Sequence, residues 1–280
     1  MERRPATGRK LLDLLVRVVA SLSALAGIAA LLWILAVVVQ RGAGALNLDF
    51  FTSLPSPPGV EGGGLVNAIV GTVLLTGAAT LLGVPIGLLA GVYLSEFGRT
   101  SRLGAIVRFA VNVLMGLPSI LVGLFVWTIL VVPFGGFSGH AGAVALALIM
   151  LPVVARTTED MLALVPNALR EGALALGTPR WRVTLIVFRA AKGGLVTGVL
   201  LAVARVSGET APLLFTALNS PFWPKSFSEP VANLTVTLFQ YAMSPYADWQ
   251  AKAWGAALLI MAAVLTTTLL ARTLSREKTR

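Results

Sequence analysis

Cysteine is absent from the 280 residues, and histidine occurs once, at His140. Without thiols the chain forms no disulfide and offers no thiolate to a metal, and one imidazole does not make a zinc site. His140 reads as a solvated residue of an external loop. Charge is scarce as well: Asp, Glu, Lys and Arg make up 12% of the residues, about half the roughly 25% of an average soluble domain. Acidic residues are the rarer sign, 12 against 22 Lys and Arg. A membrane-embedded lipid phosphatase or acyltransferase needs clustered nucleophiles and bases, and little here supplies them. What is abundant is apolar surface, 56% of residues with a mean hydropathy of +0.86. This is the composition of an integral membrane protein.

Six apolar segments are long enough to span, near 18–39, 66–94, 106–133, 141–157, 194–217 and 254–272. Spans of this length are helices, because a helix satisfies its own backbone in hydrocarbon, and the fold class is all-α with six transmembrane helices. The first segment is longer than the 7–15 residues of a signal-peptide core and lacks its small-residue cleavage pattern, so it reads as a retained anchor. With the N-terminus in the cytoplasm the basic residues sort sharply. Inside fall Arg3, Arg4, Arg9, Lys10 and Arg17; Arg99, Arg102 and Arg108; Arg156, Arg170, Arg180, Arg182, Arg189 and Lys192; and Arg272, Arg276, Lys278 and Arg280. Outside fall only Arg41, Lys225 and Lys252, while Arg205 lies within a span. This is the positive-inside pattern with both termini cytoplasmic. The net charge of +10 is therefore topology, and no nucleic-acid partner is expected.

Three parts follow: residues 1–65 with the first helix and an external loop, a core over 66–272, and a basic tail at 273–280. In the external loop Pro55, Pro57 and Pro58 stiffen the chain, and Gly62–Gly64 read as a flexible lead into the second helix. Pro85 and Pro118 are expected to kink the second and third helices. The stretch at about 157–192 is long, basic and helical in propensity. Ala168 to Leu176 reads as a short helix with Gly177 at its C′ position. Thr178 then reads as an N-cap with Pro179 at the first helical position. Gly172, Ala173 and Gly177 leave a low-profile surface beside Glu171, suited to a partner's groove.

The run "REGALALG", Arg170–Gly177, resembles the EAA loop of bacterial ABC importer permeases, whose coupling helix seats in an ATPase subunit. Glu171, Ala173 and Gly177 match that motif, and Gly172 replaces its middle alanine. The family's Ile-x-Leu-Pro is replaced here by Val187-Phe188-Arg189-Ala190. "GLPSILVGLF", "LPVVARTTEDMLALVP" and "ARVSGETAPLLFT" are similar to the PstA-type permeases of the phosphate importer. The Ala-Pro after Gly-Glu-Thr favours these over the sister PstC type. The resemblance implies a type I ABC importer permease fold. The partners it implies are a PstC-type permease, two PstB-type ATPases, a PstS-type external phosphate-binding protein and membrane lipid. It also implies a bacterial inner-membrane location and a pathway for inorganic phosphate. No G-x-x-x-x-G-K-[ST] run occurs, so ATP and Mg are expected on the ATPase subunits, and no metal or cofactor on this chain.

Arg205 and Glu209 stand four residues apart inside an apolar run, where an ionisable group costs about 2.5–3.5 kcal/mol or more. Their spacing predicts one shared helical face, beside a backbone loosened by Gly208 and Pro212. A guanidinium offers paired donors to phosphate oxygens, and Glu209 is expected to take up Arg205 between transits. The alternative is a structural ion pair that fixes packing. Arg156 is a second candidate anion contact, or else a positive-inside anchor. Rival functions are the permease of a molybdate, tungstate or sulfate importer and the membrane-embedded enzyme already weighed.

Overall fold

The structure is a computed structural model, described over residues 6–276; residues 1–5, with Arg3 and Arg4, and residues 277–280, with Lys278 and Arg280, lie outside the described residues. The described residues form helices joined by loops, with no strand and one isolated bridge between Pro55 and Gly63. In order the helices are α1 (Ala6–Gly42), α2 (Leu48–Thr52), α3 (Val66–Val92), α4 (Arg102–Gly116), α5 (Ser119–Val126), α6 (Gly139–Ala163) and α7 (Asn167–Ala175). They continue as α8 (Arg180–Ala190), α9 (Lys192–Val206), α10 (Ala211–Leu214), α11 (Leu234–Ala242) and α12 (Ala247–Arg276). Wide π-helical turns extend α3 over Tyr93–Phe97 and α5 over Trp127–Val131.

Four helical stretches are long and apolar enough to cross a membrane, and two bent pairs bring the total to as many as six if each pair is one span. The axis of the bundle is the pairing of α3 with α6. Along α3 the buried positions recur every fourth residue: Gly71, Leu75, Ala79, Gly83, Gly87, Gly91. That period is one ridge of a helix, and small residues on it let two backbones approach closely where lipid gives no hydrophobic drive. Leu75 lies by Gly142, Gly83 by Met150, Gly87 by Val154 and Gly91 by Thr158. The numbers rise together, so α3 and α6 run parallel. Parallel neighbours require a return leg, and α4 with α5 supplies it. α9 then runs back against α6, with Gly194 by Met161 and Gly198 by Thr157. α12 runs down beside α9, where the Thr197 hydroxyl donates to the Ala271 carbonyl at 3.3 Å. Leu75, Leu146, Met150, Val154, Val206 and Val231 fill the centre, each almost fully buried. α1 joins at its Gly42 end, next to Trp254 and Leu258 of α12; the rest of its apolar surface faces outward.

Four expectations are corrected. The continuous helix over 106–133 is two helices bent by 105°. Leu117 is extended (φ −72°, ψ 134°), as a residue preceding proline tends to be, and Pro118 caps α5 from outside rather than kinking a helix. The span over 194–217 stops at Val206. The Gly62–Gly64 lead has a defined turn, exposed at Gly62 and packed at Gly63 and Gly64. Gly62 and Gly63 hold φ of +90° and +73°, Gly64 abuts the Phe50 carbonyl, and Lys252 donates to the Gly62 carbonyl. His140 stands in the first turn of α6, its ring edge-on to Phe227 at 5.5 Å, not in a loop. Helix α11 was not foreseen. Asn233 caps it by accepting from the Val236 N–H at 2.9 Å. Its Thr235-Val236-Thr237 run favours strand over helix when read alone.

Candidate functional site

Two regions carry the candidate residues: the hairpin α7–α8 at one end of the bundle and the interruption after α9. α7 begins at Pro166, whose missing N–H costs nothing at a helix start. It closes on Gly177 at φ +76°. The Gly177 N–H donates to the Leu174 carbonyl at 2.9 Å and the Thr178 N–H to the Ala173 carbonyl at 3.2 Å, which is a Schellman closure. That closure explains a one-residue correction. Thr178 is spent ending α7, so Pro179 at ψ 148° takes the N-cap of α8 and Arg180 is its first residue.

Glu171 and Gly172 are exposed on α7, Ala173 leans on the core beneath, and Gly177 is exposed at the turn. Around them Leu174, Leu176 and Trp181 present apolar surface, Leu176 at 86% exposure. So much exposed apolar surface on a basic hairpin marks an interaction face. What fastens the hairpin is a residue left as a simple anchor by sequence reasoning. Arg170, its side chain 13% exposed, bonds the Glu96 carboxylate at 2.7 Å, the Leu162 carbonyl at 2.7 Å and the Val165 carbonyl at 2.6 Å. Its Nε also reaches Glu96 at 3.3 Å and its Nη1 reaches Asn167 at 3.4 Å. The sequence signal was Glu96 itself, an acidic residue at the end of an apolar run, 74 positions away.

The second region overturns the shared face of Arg205 and Glu209. Arg205 sits in the last turn of α9, favourable for a cation against the helix dipole, and is exposed. The helix ends there; Gly208 and Glu209 lie in the gap before α10. No ion pair joins Arg205 to Glu209 among the described residues. Tertiary packing holds the break open. Pro212 is buried against Gly123 of α5, where a Cβ would stand 2.6 Å from the Pro212 Cα. The Glu209 carbonyl accepts from the Thr235 hydroxyl at 2.8 Å, and the Pro212 carbonyl from the Thr216 hydroxyl at 2.7 Å. Exposed Arg205 thus projects from a helix end beside backbone that needs external partners, the arrangement tolerated where a cavity is lined.

Arg156, on α6, lies elsewhere. Its guanidinium bonds Glu159 at 3.3 Å and Asp160 at 3.2 Å, and Arg108 of α4 holds the other side of Glu159 at 2.8 Å. The structure therefore places Arg156 among carboxylates and apart from Arg205. At the opposite end from the hairpin, a cavity of about 660 Å³ is bounded by Pro57, Asn67, Asn219, Phe222, Tyr241 and Trp249. Tyr241 stacks on Trp249 at 4.2 Å, and burial, with Asp248 adding to it, pushes its hydroxyl up to about 12. The cavity lining carries no charged side chain.

Residues 83–280 match the family described as binding-protein-dependent transport system inner membrane component. The chain is 48% identical over 277 residues to the phosphate transport system permease protein PstA of Yersinia pestis, covering 99% of this chain and 94% of that one. It is 51% identical over 259 residues to PstA of Haemophilus influenzae, covering 92% and 91%. PstA 1 of Mycobacterium tuberculosis is 40% identical, covering 89% and 84%. Among solved structures, an inward-facing MetNI methionine ABC transporter superposes with a TM-score of 0.64 at 23% identity, over 77% of this chain and 96% of that one. A bacterial ABC transporter that imports alginate gives 0.64 at 14% identity, over 97% and 100%. The multi-pass all-α bundle is thus that of a permease, and the chain belongs to the binding-protein-dependent transport system inner membrane components, as a PstA-type member.

Proposed function

We propose that this chain forms half of the pathway by which inorganic phosphate crosses a bacterial inner membrane, powered by ATP hydrolysed on partner subunits. The observation that carries the reading is Arg205, a guanidinium exposed at a helix end beside the Gly-Glu-Thr-Ala-Pro run, in the stretch that resembles the phosphate permeases. The partners are a PstC-type permease, two PstB-type ATPases and a PstS-type external binding protein. ATP and Mg sit on the ATPases, and this chain holds no cofactor of its own. Both termini and the hairpin face the cytoplasm. There Glu171, Gly172, Ala173 and Gly177 seat an ATPase, and the exposed leucines and Trp181 fill its groove.

In the pathway, Arg205 offers planar paired donors to a partly dehydrated phosphate. Glu209, in the Gly208–Pro212 break after α9, lets the guanidinium release it. Because Arg205 is exposed in this chain, Arg205→Gln changes stability by only a few tenths of a kcal/mol, about ±0.5. The test is phosphate uptake by vesicles holding the full complex, with abundance measured alongside. Arg205→Gln and Arg205→Gln/Glu209→Gln are expected to assemble and to fail in uptake. Near-normal uptake by an abundant double variant removes Arg205 from the pathway. Competition by molybdate or sulfate equal to that by phosphate replaces the substrate instead.

A further inference from the structure

Arg170 has more bonds than a docking helix needs. A guanidinium has five N–H donors, and here all five have acceptors on three separate elements: Glu96 at the end of α3, Leu162 and Val165 where α6 ends, and Asn167 on α7. The Leu162 carbonyl, which also accepts from the Val165 N–H at 3.2 Å, and the Val165 carbonyl stand in the turn that closes α6. The Glu96 side chain is 9% exposed and comes from a π-helical turn, a widened and less regular stretch of helix. Below this point α3 and α6 are locked side by side through Gly83, Gly87 and Gly91. A displacement of α7 therefore reaches both helices through one side chain.

We infer that the Arg170–Glu96 pair is the joint that converts movement of the docking hairpin into movement of the α3–α6 pair. The inference rests on the transport reading above. Arg170 and Glu96 touch no substrate; they are positioning residues. The carbonyl bonds tie α7 to α6 alone, so Glu96 is the member that adds α3. A single planar group bonded on every edge does not stretch: either all three elements move together or the bonds break.

Glu96→Gln separates the joint from the rest, because it leaves the carbonyl bonds of Arg170 in place and keeps the shape of residue 96. The measurement is made on the complete complex in proteoliposomes, with phosphate uptake and ATP hydrolysis recorded on the same preparation. The quantity read is ATP hydrolysed per phosphate transported. Glu96→Gln is expected to raise it at least tenfold, with Arg170→Lys intermediate because an ammonium retains the charge but not the planar fork. A pair that merely braces the fold lowers both rates together and leaves the ratio unchanged. An unchanged ratio, at any level of assembly, overturns the inference. A wild-type complex that hydrolyses ATP without moving phosphate overturns the transport reading instead.

Discussion

Consider a methyl group added to α3 at Gly87. Its carbon would lie 2.8 Å from the Val154 Cβ, 2.9 Å from the Leu151 carbonyl oxygen and 3.0 Å from the Val154 Cγ1. Carbon atoms settle at about 3.5–4.0 Å, so α3 and α6 would have to part by roughly 0.7 Å along a seam that is close-packed above and below. Overpacking of this kind costs about 1–3 kcal/mol. Alanine returns about 1 kcal/mol of helix propensity, leaving a net loss of about 0–2 kcal/mol. Gly77, on the same helix, is the matched control, because no atom lies within 4 Å of its Cβ position. Gly77→Ala should be neutral or stabilising by up to about 1 kcal/mol. Propensity cancels between the two variants, and the difference of about 1–3 kcal/mol is packing alone. Thermal unfolding of the purified protein in one detergent, at one scan rate, measures it as a melting temperature several degrees lower for Gly87→Ala. Equal or reversed melting temperatures would refute the close-packed seam.

Gly177→Leu strains a residue held at φ +76° by roughly 1–2 kcal/mol; the chain should still reach the membrane, while phosphate-stimulated ATP hydrolysis by the complex is lost. Asn233→Ala removes the acceptor for the Val236 N–H, costing about 0.5–2 kcal/mol and raising protease cleavage between Leu218 and Leu234. Lys252→Met frees the Gly62 carbonyl and the Asp248 carboxylate, so amide exchange over 59–64 should quicken while exchange in α6 stays unchanged. Reporter fusions after Arg99 and Arg182 should both read cytoplasmic and one after Pro224 external; an external signal after Arg182 reverses the orientation.

What the sequence shows plainly is what is decided locally or by bulk hydrophobicity. The apolar segments locate the spans, and Gly177 announces a helix end because its requirement for positive φ is a property of the turn itself. What it hides depends on contacts distant in the chain. Gly208 and Pro212 mark a weak backbone after Arg205, but not that α9 stops one residue later, since the stop is held by Pro212 against Gly123 and by Thr235 on the Glu209 carbonyl. Periodicity therefore carried the helix through to 217 and put two charges on a face that does not exist. Arg170 was in plain view, yet its weight comes from Glu96, 74 residues away. Hydropathy also treats Leu117–Pro118 as one more apolar pair, because it averages composition and carries no direction.

That 105° corner bears on how the membrane is sealed. The straight leg after it, Ser119–Val131, rises about 20 Å at 1.5 Å per residue, against a hydrocarbon thickness of about 30 Å. α4 turns nearly sideways and adds little height, and its Leu103, Ile106, Phe109 and Val113 face outward. The wall of the bundle is low on this side. Lipid there either thins to meet it or gives way to protein from another chain.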